Sequence, residues 1–413
     1  MALPALPTPS TTASSAPTAT APTTTLGPAM AYIHCPFCLS QCIYCDFAVD
    51  TRHGHSALLD ATVEALCQEM THCLTHQPAS PLPPLPPLSS VFLGGGTPSR
   101  FSARQLQRLL DTLTRHQPLA PDAEITMELN PERPASPLAD YRAIGINRLS
   151  IGVQSMQPNE LKRLSRLHGP DDVRQTVAEA RASGFDNLAL DVMVGLPDQT
   201  PASWQATLEA LVALAPDHVS MYGLQVEPGT KLASLVDTGR FTLPDEDTAV
   251  SMYWQGIDFL EASGLVQYEI SNLARPGFAS RHNTGYWQNQ PFWGFGPGAH
   301  SSAYQMRRAN PKSLDTYLAN PTQPETVHHI SPVEDLENAL IFGLRQRAGV
   351  NLDTLAQIHG PDVIDRLQPL IEGHLSTGAL EQDGTQLRLG RAYIPVSNSI
   401  LDTFIGLGPV IRP

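Results

Sequence analysis

The stretch AYIHCPFCLSQCIYCDF, residues 31–47, places Cys35, Cys38, Cys42 and Cys45 within eleven positions. It begins as a short β-type run, AYIH, and the last three cysteines follow at C-x3-C-x2-C. Thiolates this closely spaced on a loop after a strand can converge on one soft metal centre. A structural zinc site needs four ligands, and His34 or Cys35 could supply the fourth. A four-iron cluster held by only three cysteines keeps one iron open to a small molecule. Cys35 reads as a small core residue at the strand's end, with a spare soft ligand as the alternative. Cys67 and Cys73 fall on a helical pattern and read as packing residues. Six cysteines in 413 residues are too few for a disulfide scaffold, and their clustering points to metal or redox chemistry in a reducing compartment.

Outward from this stretch, β-type runs alternate with helical patterns. AYIH (31–34) is followed by VFLGG (91–95), EITMELN (124–130), RLSIGVQ (148–154), NLALDVMVG (187–195) and HVSMYGLQV (218–226). Between them, stretches such as SARQLQRLLDTLTRH and ASWQATLEALVALA repeat apolar residues at three- and four-residue spacing, the stripe of an amphipathic helix. Six alternations imply a parallel sheet with crossover helices, either open and doubly wound or closed into a full or partial barrel.

After residue 230 this rhythm fades into a loop-rich extension (231–325), dense in glycine and aromatic residues. From 326 to 413, helices at SPVEDLENALIFGLRQ, LDTLAQIHG and DVIDRLQPLIEGHLSTG precede a hairpin, LEQDGTQLRLGRAYIPV, turning at Asp383-Gly384. That order suggests a small winged-helix-like α+β domain. Residues 1–28 carry no charged side chain and are mostly Ala, Pro, Thr and Ser, a tail expected to be disordered. PASPLPPLPPLSS (78–90) reads as an exposed polyproline-like loop. The core barrel is expected over 29–230.

Composition narrows the function. A formal charge of −14 argues against nucleic-acid binding, which calls for a basic patch. No apolar run reaches the length of about 18 residues that a membrane span requires. The tail has neither the basic start and apolar run of a secretory signal nor the arginines of a transit peptide, so a cytoplasmic location is expected.

The edge formed by the strands' carboxy-terminal ends collects polar residues. LGGGTP (93–98) ends the second strand with consecutive glycines, which let a ligand approach the backbone and expose N–H groups. Glu128 and Asn130 end the third strand, Gln154 and Ser155 the fourth, and Asp191 lies in the fifth. In parallel α/β folds this edge is where ligands bind, and buried carboxylates and amides there are costly unless paired.

The cysteine motif followed by FLGGGTPS resembles the radical S-adenosylmethionine (SAM) proteins. More narrowly, ITMELNPE, GINRLSIGVQS, LALDVMVGLPDQT, VEPGT, YEISNLARPG and GFGPGAH resemble the oxygen-independent coproporphyrinogen-III oxidase family. The resemblance implies an α/β fold: a partial (β/α)6 radical SAM barrel with a small carboxy-terminal winged-helix-like domain. It implies a [4Fe–4S] cluster on Cys38, Cys42 and Cys45, whose open iron chelates SAM and, given an electron from a donor protein, cleaves it to a 5′-deoxyadenosyl radical. SAM positions of the family fall on Tyr32, Tyr44, Gly95, Gly96, Thr97, Glu128, Gln154, Arg166 and Asp191, of which Gln154, Arg166 and Asp191 belong to a second SAM in the oxidases.

True oxidases carry a further cysteine two positions after the cluster's last one, and here that position is Phe47. This departure and the low-complexity tail resemble the heme chaperone branch, which passes heme to an acceptor protein, membrane-associated acceptors included. That branch carries an H-N-x-x-Y-W motif associated with heme, matched by His282, Asn283, Tyr286 and Trp287. An imidazole is a natural axial ligand and Tyr and Trp offer flat apolar faces. Alternatively His282 holds a loop and Trp287 fills an interface. The competing function is the oxidase reaction itself, radical decarboxylation of two propionates of coproporphyrinogen III to give protoporphyrinogen IX.

Overall fold

The computed structural model describes residues 27–52, 56–76, 85–132 and 137–408. The tail lies outside these residues except for its last two, as does the first part of the proline-rich segment. The end of that segment, Leu88–Ser90, already belongs to a strand.

Six strands pair in chain order and all in parallel: β1 (Met30–Cys35), β2 (Leu88–Gly95), β3 (Leu119–Leu129), β4 (Arg148–Gln154), β5 (Leu188–Val194) and β6 (His218–Gly223). The period of two along each strand divides their side chains. Ile33, Leu93, Met127, Ile151, Leu190 and Val219 join the main hydrophobic core beneath the crossover helices. Their neighbours Glu128, Ser150, Gly152 and Asp191 face a cavity on the other side. The helices follow from local signals. In Ala103–His116, Ser102 and Gln105 form a capping box and Leu106, Leu109, Leu110 and Leu113 make the buried stripe.

The parallel sheet extends beyond these six strands. The segment read as loop-rich contributes β7 (Val266–Gln267), β8 (Asn272–Ala274), β9 (Phe292–Phe295), β10 (His300–Ala303) and β11 (Met306–Ala309), and β12 (Thr326–His329) follows it. β9 lies parallel to β1 on its free edge, so seven strands run in one direction. β10, β11 and β12 continue antiparallel from β9, while β8 and β7 cap β6, giving a mixed sheet of twelve strands.

A second hydrophobic core runs from Leu336 to Leu407. Helices Pro332–Gly343, Leu352–His359 and Asp362–Thr377 pack with a small antiparallel sheet of β13 (Val350–Asn351), β15 (Gln386–Leu389) and β14 (Leu380–Asp383). The β14–β15 hairpin turns at Gly384, whose φ of 58° suits glycine. Its second strand is shorter than the sequence pattern suggests, since Arg391–Val396 forms a 3₁₀ turn carrying Pro395.

Candidate functional site

Cys38, Cys42 and Cys45 are half-buried free thiols on the loop after β1, and all three line a cavity of about 860 Å³ at the strands' carboxy-terminal edge. The loop is pinned at its base, with Cys38 N donating to Asp50 O (3.1 Å) and Asp50 N to Pro36 O (2.7 Å). The fourth cysteine faces away: Cys35 is fully buried in the core, as a strand-end packing residue should be. His34 is also committed. Its Nδ1 lies 3.0 Å from the Tyr32 hydroxyl and its Nε2 2.8 Å from Ala48 O, so the ring donates from Nε2 and accepts at Nδ1. Neither residue is available as the fourth ligand of a zinc site.

The three thiols sit in a hydrogen-bonded frame. Thr97 Oγ1 is 3.4 Å from Cys38 Sγ, and Asn130 Nδ2 donates to Thr97 Oγ1 (3.0 Å). Arg166 donates from one nitrogen to Asn130 Oδ1 (2.5 Å) and Gly152 O (2.7 Å), and from the other to Cys42 Sγ (3.4 Å). A continuous chain, Cys42–Arg166–Asn130–Thr97–Cys38, therefore ties two of the thiols together. Arg166 Nε is buried with no partner, an orphaned donor at the cavity wall. Burial pushes the Cys38 thiol up to about 11, so a positive centre is needed to hold it as thiolate. Three thiols on an accessible wall suit a cluster with an open iron better than a closed four-ligand ion.

The triple glycine has a different role from the one its sequence suggests. Gly95 N donates to Glu128 Oε2 (3.0 Å) and Gly96 N to Cys35 O (2.9 Å), so both N–H groups are engaged within the protein. What the glycines provide is space. A Cβ on Gly95, where φ is 99°, would lie 2.3 Å from the His34 ring, and one on Gly96 would lie 2.6 Å from Cys35 O.

Deeper in the cavity, Glu128 is pushed up to about 8 by burial and by the nearby Asp191 carboxylate. Asp191 is also raised by burial, while Ser150 Oγ lies 3.0 Å from each of its oxygens. Two half-buried carboxylates, with no cation at ion-pair distance among the described residues, can accept from an amine or from ribose hydroxyls. Gln154 sits at a β-bulge between β4 and β5 with φ of 62°, which turns its side chain toward the same wall. Of the residues expected at SAM, Tyr44, Gly95, Gly96, Glu128, Gln154, Arg166 and Asp191 line the cavity. Thr97 and Tyr32 stand behind it, Thr97 against Cys38 and Tyr32 against His34. Asn130 and Ser150 join the set; ELNP carried the signal for Asn130, and Ser150 gave none.

The H-N-x-x-Y-W segment forms the helix Arg281–Trp287, which packs against β2 and against the helix Pro332–Gly343. Glu124 holds its start, accepting from Ser280 Oγ (3.2 Å), Arg281 N (3.0 Å) and His282 N (3.2 Å). His282 is 1% exposed and stacks on Phe92 at 5.2 Å. Its Nδ1 is 2.9 Å from Ser90 Oγ and its Nε2 is 2.9 Å from the Tyr286 hydroxyl. Burial and the Arg148 cation push its pKa down to about 3, so the ring is neutral. Asn283 and Trp287 line the cavity, whereas His282 and Tyr286 bond each other behind them. Phe47 stands on the cavity wall, 62% exposed, and its amide N–H bonds Cys45.

Sequence profiles match the radical SAM superfamily at residues 32–211 and the HemN C-terminal domain at residues 330–392. The chain is 36% identical to the heme chaperone HemW of Synechocystis over 81% of its length and 82% of the relative's. It is 33% identical to HemW of Bacillus subtilis over 91% and 99%. It is 35% identical to the mitochondrial radical S-adenosyl methionine domain-containing protein 1 of Danio rerio over 77% and 73%. Among solved structures, coproporphyrinogen III oxidase (HemN) from Escherichia coli superposes with a TM-score of 0.76 over 92% of this chain and 91% of that one, at 23% identity, an agreement of fold. Relatives this similar along most of their length fix the family: the chain belongs to the radical SAM proteins, on the heme chaperone branch of the coproporphyrinogen III oxidase-like group.

Proposed function

We propose that this protein binds heme and delivers it to an acceptor protein, and that it carries a [4Fe–4S] cluster on Cys38, Cys42 and Cys45 together with SAM. The observation that carries the reading is the pairing of an intact cysteine and carboxylate site with Phe47 on its wall, in a chain whose closely similar relatives are named heme chaperones. When bound, a cluster with SAM supplies one-electron chemistry, drawing on an electron donor.

This chain's own residues would bind and orient. Glu128 accepts from the amino group of SAM, and Arg166 steadies the thiol loop while its free Nε–H meets a carboxylate. Asp191 accepts from ribose hydroxyls, and Gly95 and Gly96 leave room for the ligand. Asn283 and Trp287 offer an amide and a flat face to heme. His282 can ligate iron only by giving up the Ser90 or Tyr286 bond, so in the present geometry its role is to hold the helix. No helix among the described residues is long and apolar enough to cross a membrane, and we place the protein in the cytoplasm, with membrane-associated acceptors within reach.

The test separates chaperone from oxidase. The reconstituted protein is incubated anaerobically with SAM, reductant and coproporphyrinogen III, and products are separated by chromatography. The chaperone reading expects no turnover. Protoporphyrinogen IX formed at a catalytic rate would establish the oxidase reaction instead.

A further inference from the structure

A second polar group on the cavity wall comes from elements not yet given a role. Arg345 follows the helix Pro332–Gly343, and its guanidinium carbon lies 5.0 Å from the centroid of the Trp287 ring. Among the described residues Arg345 has no carboxylate at ion-pair distance. Its Nε is buried without a hydrogen-bond partner, and so is the indole Nε1 of Trp287. The buried carboxylate of Glu269 is close enough to act on the Arg345 charge, but it is beyond ion-pair distance and is engaged by Ser271 N (3.1 Å) and by Asn272. The backbone around Arg345 is held from two sides: Ile270 N donates to Arg345 O (3.2 Å), and Gln346 Nε2 donates to Trp287 O (3.2 Å). Arg345, Trp287 and Asn283 line the same cavity as the cysteines, beside an apolar wall of Ile270, Ile394 and Pro395.

A half-buried cation whose Nε–H has no acceptor, beside a buried indole N–H with none, is a costly arrangement, and a ligand that brings an anion relieves both. An arginine steadied on an aromatic face is the side chain best suited to a carboxylate, because its planar fork meets both oxygens. The adjoining apolar wall requires that the carboxylate hang from a flat apolar body. We infer that Arg345, on its Trp287 platform, is the binding site for a carboxylate of the cavity's ligand, and that this carboxylate is a heme propionate. The inference rests on the heme chaperone reading above; SAM is the other possible source of a carboxylate.

The test titrates cluster-reconstituted full-length protein with heme and with heme dimethyl ester, whose propionates are capped, following the Soret band. SAM binding is measured in parallel. Wild type should hold heme about tenfold more tightly than the ester, the worth of one charge-assisted contact. Arg345→Gln should lose that preference by weakening heme about tenfold while leaving the ester and SAM unchanged, and Arg345→Lys should recover part of it. The wild-type comparison needs no variant to fold. Equal affinity for heme and ester in wild type, or equal losses of both in Arg345→Gln, would overturn the assignment. A loss of SAM with heme unchanged would overturn it too, giving the site to the SAM carboxylate. Heme binding indifferent to Arg345 leaves the chaperone reading standing, whereas a wild type that binds neither porphyrin removes that reading and this one together.

Discussion

Glu128 is the residue whose chemistry works most directly against the fold, so replacing it with glutamine gives a quantitative test. Its carboxyl is desolvated on the cavity wall, Gly95 N donates to it at 3.0 Å, and Asp191 repels its charge. At about 1.4 kcal/mol per pH unit, the displacement from 4.5 to about 8 amounts to roughly 5 kcal/mol held against the ionised form. A raised carboxyl pKa means the folded state binds the proton more tightly than the unfolded state. The cost is therefore absent below pH 4.5, grows as pH rises, and is complete above pH 8. Glutamine is neutral throughout, and its amide oxygen can still accept the Gly95 N–H. In urea unfolding of the chain without cofactors, Glu128→Gln should be nearly as stable as wild type at pH 5 and more stable by a few kcal/mol at pH 9. The same substitution should weaken SAM, because the amino group loses a charged acceptor. A stability difference that is the same at both pH values, or a variant less stable than wild type at pH 9, would show that the Glu128 carboxylate does not oppose the fold.

Glu69 is buried and raised to about 7, but Gly296 N (2.8 Å), Tyr317 OH (2.7 Å) and Asn310 Nδ2 (2.6 Å) all donate to it, so Glu69→Gln should cost about 1–3 kcal/mol by setting one NH2 against another. Thermal unfolding near neutral pH checks the sign, which is opposite to that for Glu128→Gln. Cys38→Ala should abolish iron uptake in anaerobic reconstitution while Cys35→Ile keeps it, read by iron analysis; equal uptake by both would remove Cys38 from the cluster. Gly95→Ala, which forces a methyl group into the His34 ring at a φ of 99°, should destabilise the fold by a few kcal/mol and displace the thiol loop, read by unfolding and by iron content.

Much of the fold is legible because parallel strands are long apolar runs between amphipathic helices. RLSIGVQ matches β4 residue for residue, and the carboxy-terminal helices and the Asp383-Gly384 turn lie where their patterns put them. β9 to β12 were hidden because each is four residues long and depends on its neighbours rather than on its own sequence. FWGF in particular is a strand because β1 offers it a free parallel edge. The cysteine loop and the carboxylates of the site were readable from spacing and position. The burial of His282 within the helix Arg281–Trp287 was not readable, because H-N-x-x-Y-W shows no apolar stripe and His282 and Tyr286 satisfy each other behind the cavity wall. Arg345 left no signal at all, since one arginine in a helical pattern looks like any solvated charge until Trp287 is seen beneath it.

Whether this cavity serves heme is decided by a heme titration. The anaerobically reconstituted protein is titrated with heme and passed through gel filtration, with the Soret band followed throughout. Binding should be saturable and stoichiometric, should travel with the protein, and should give a Soret spectrum distinct from that of free heme. A spectrum that stays that of free heme, with no heme eluting with the chain, would contradict it.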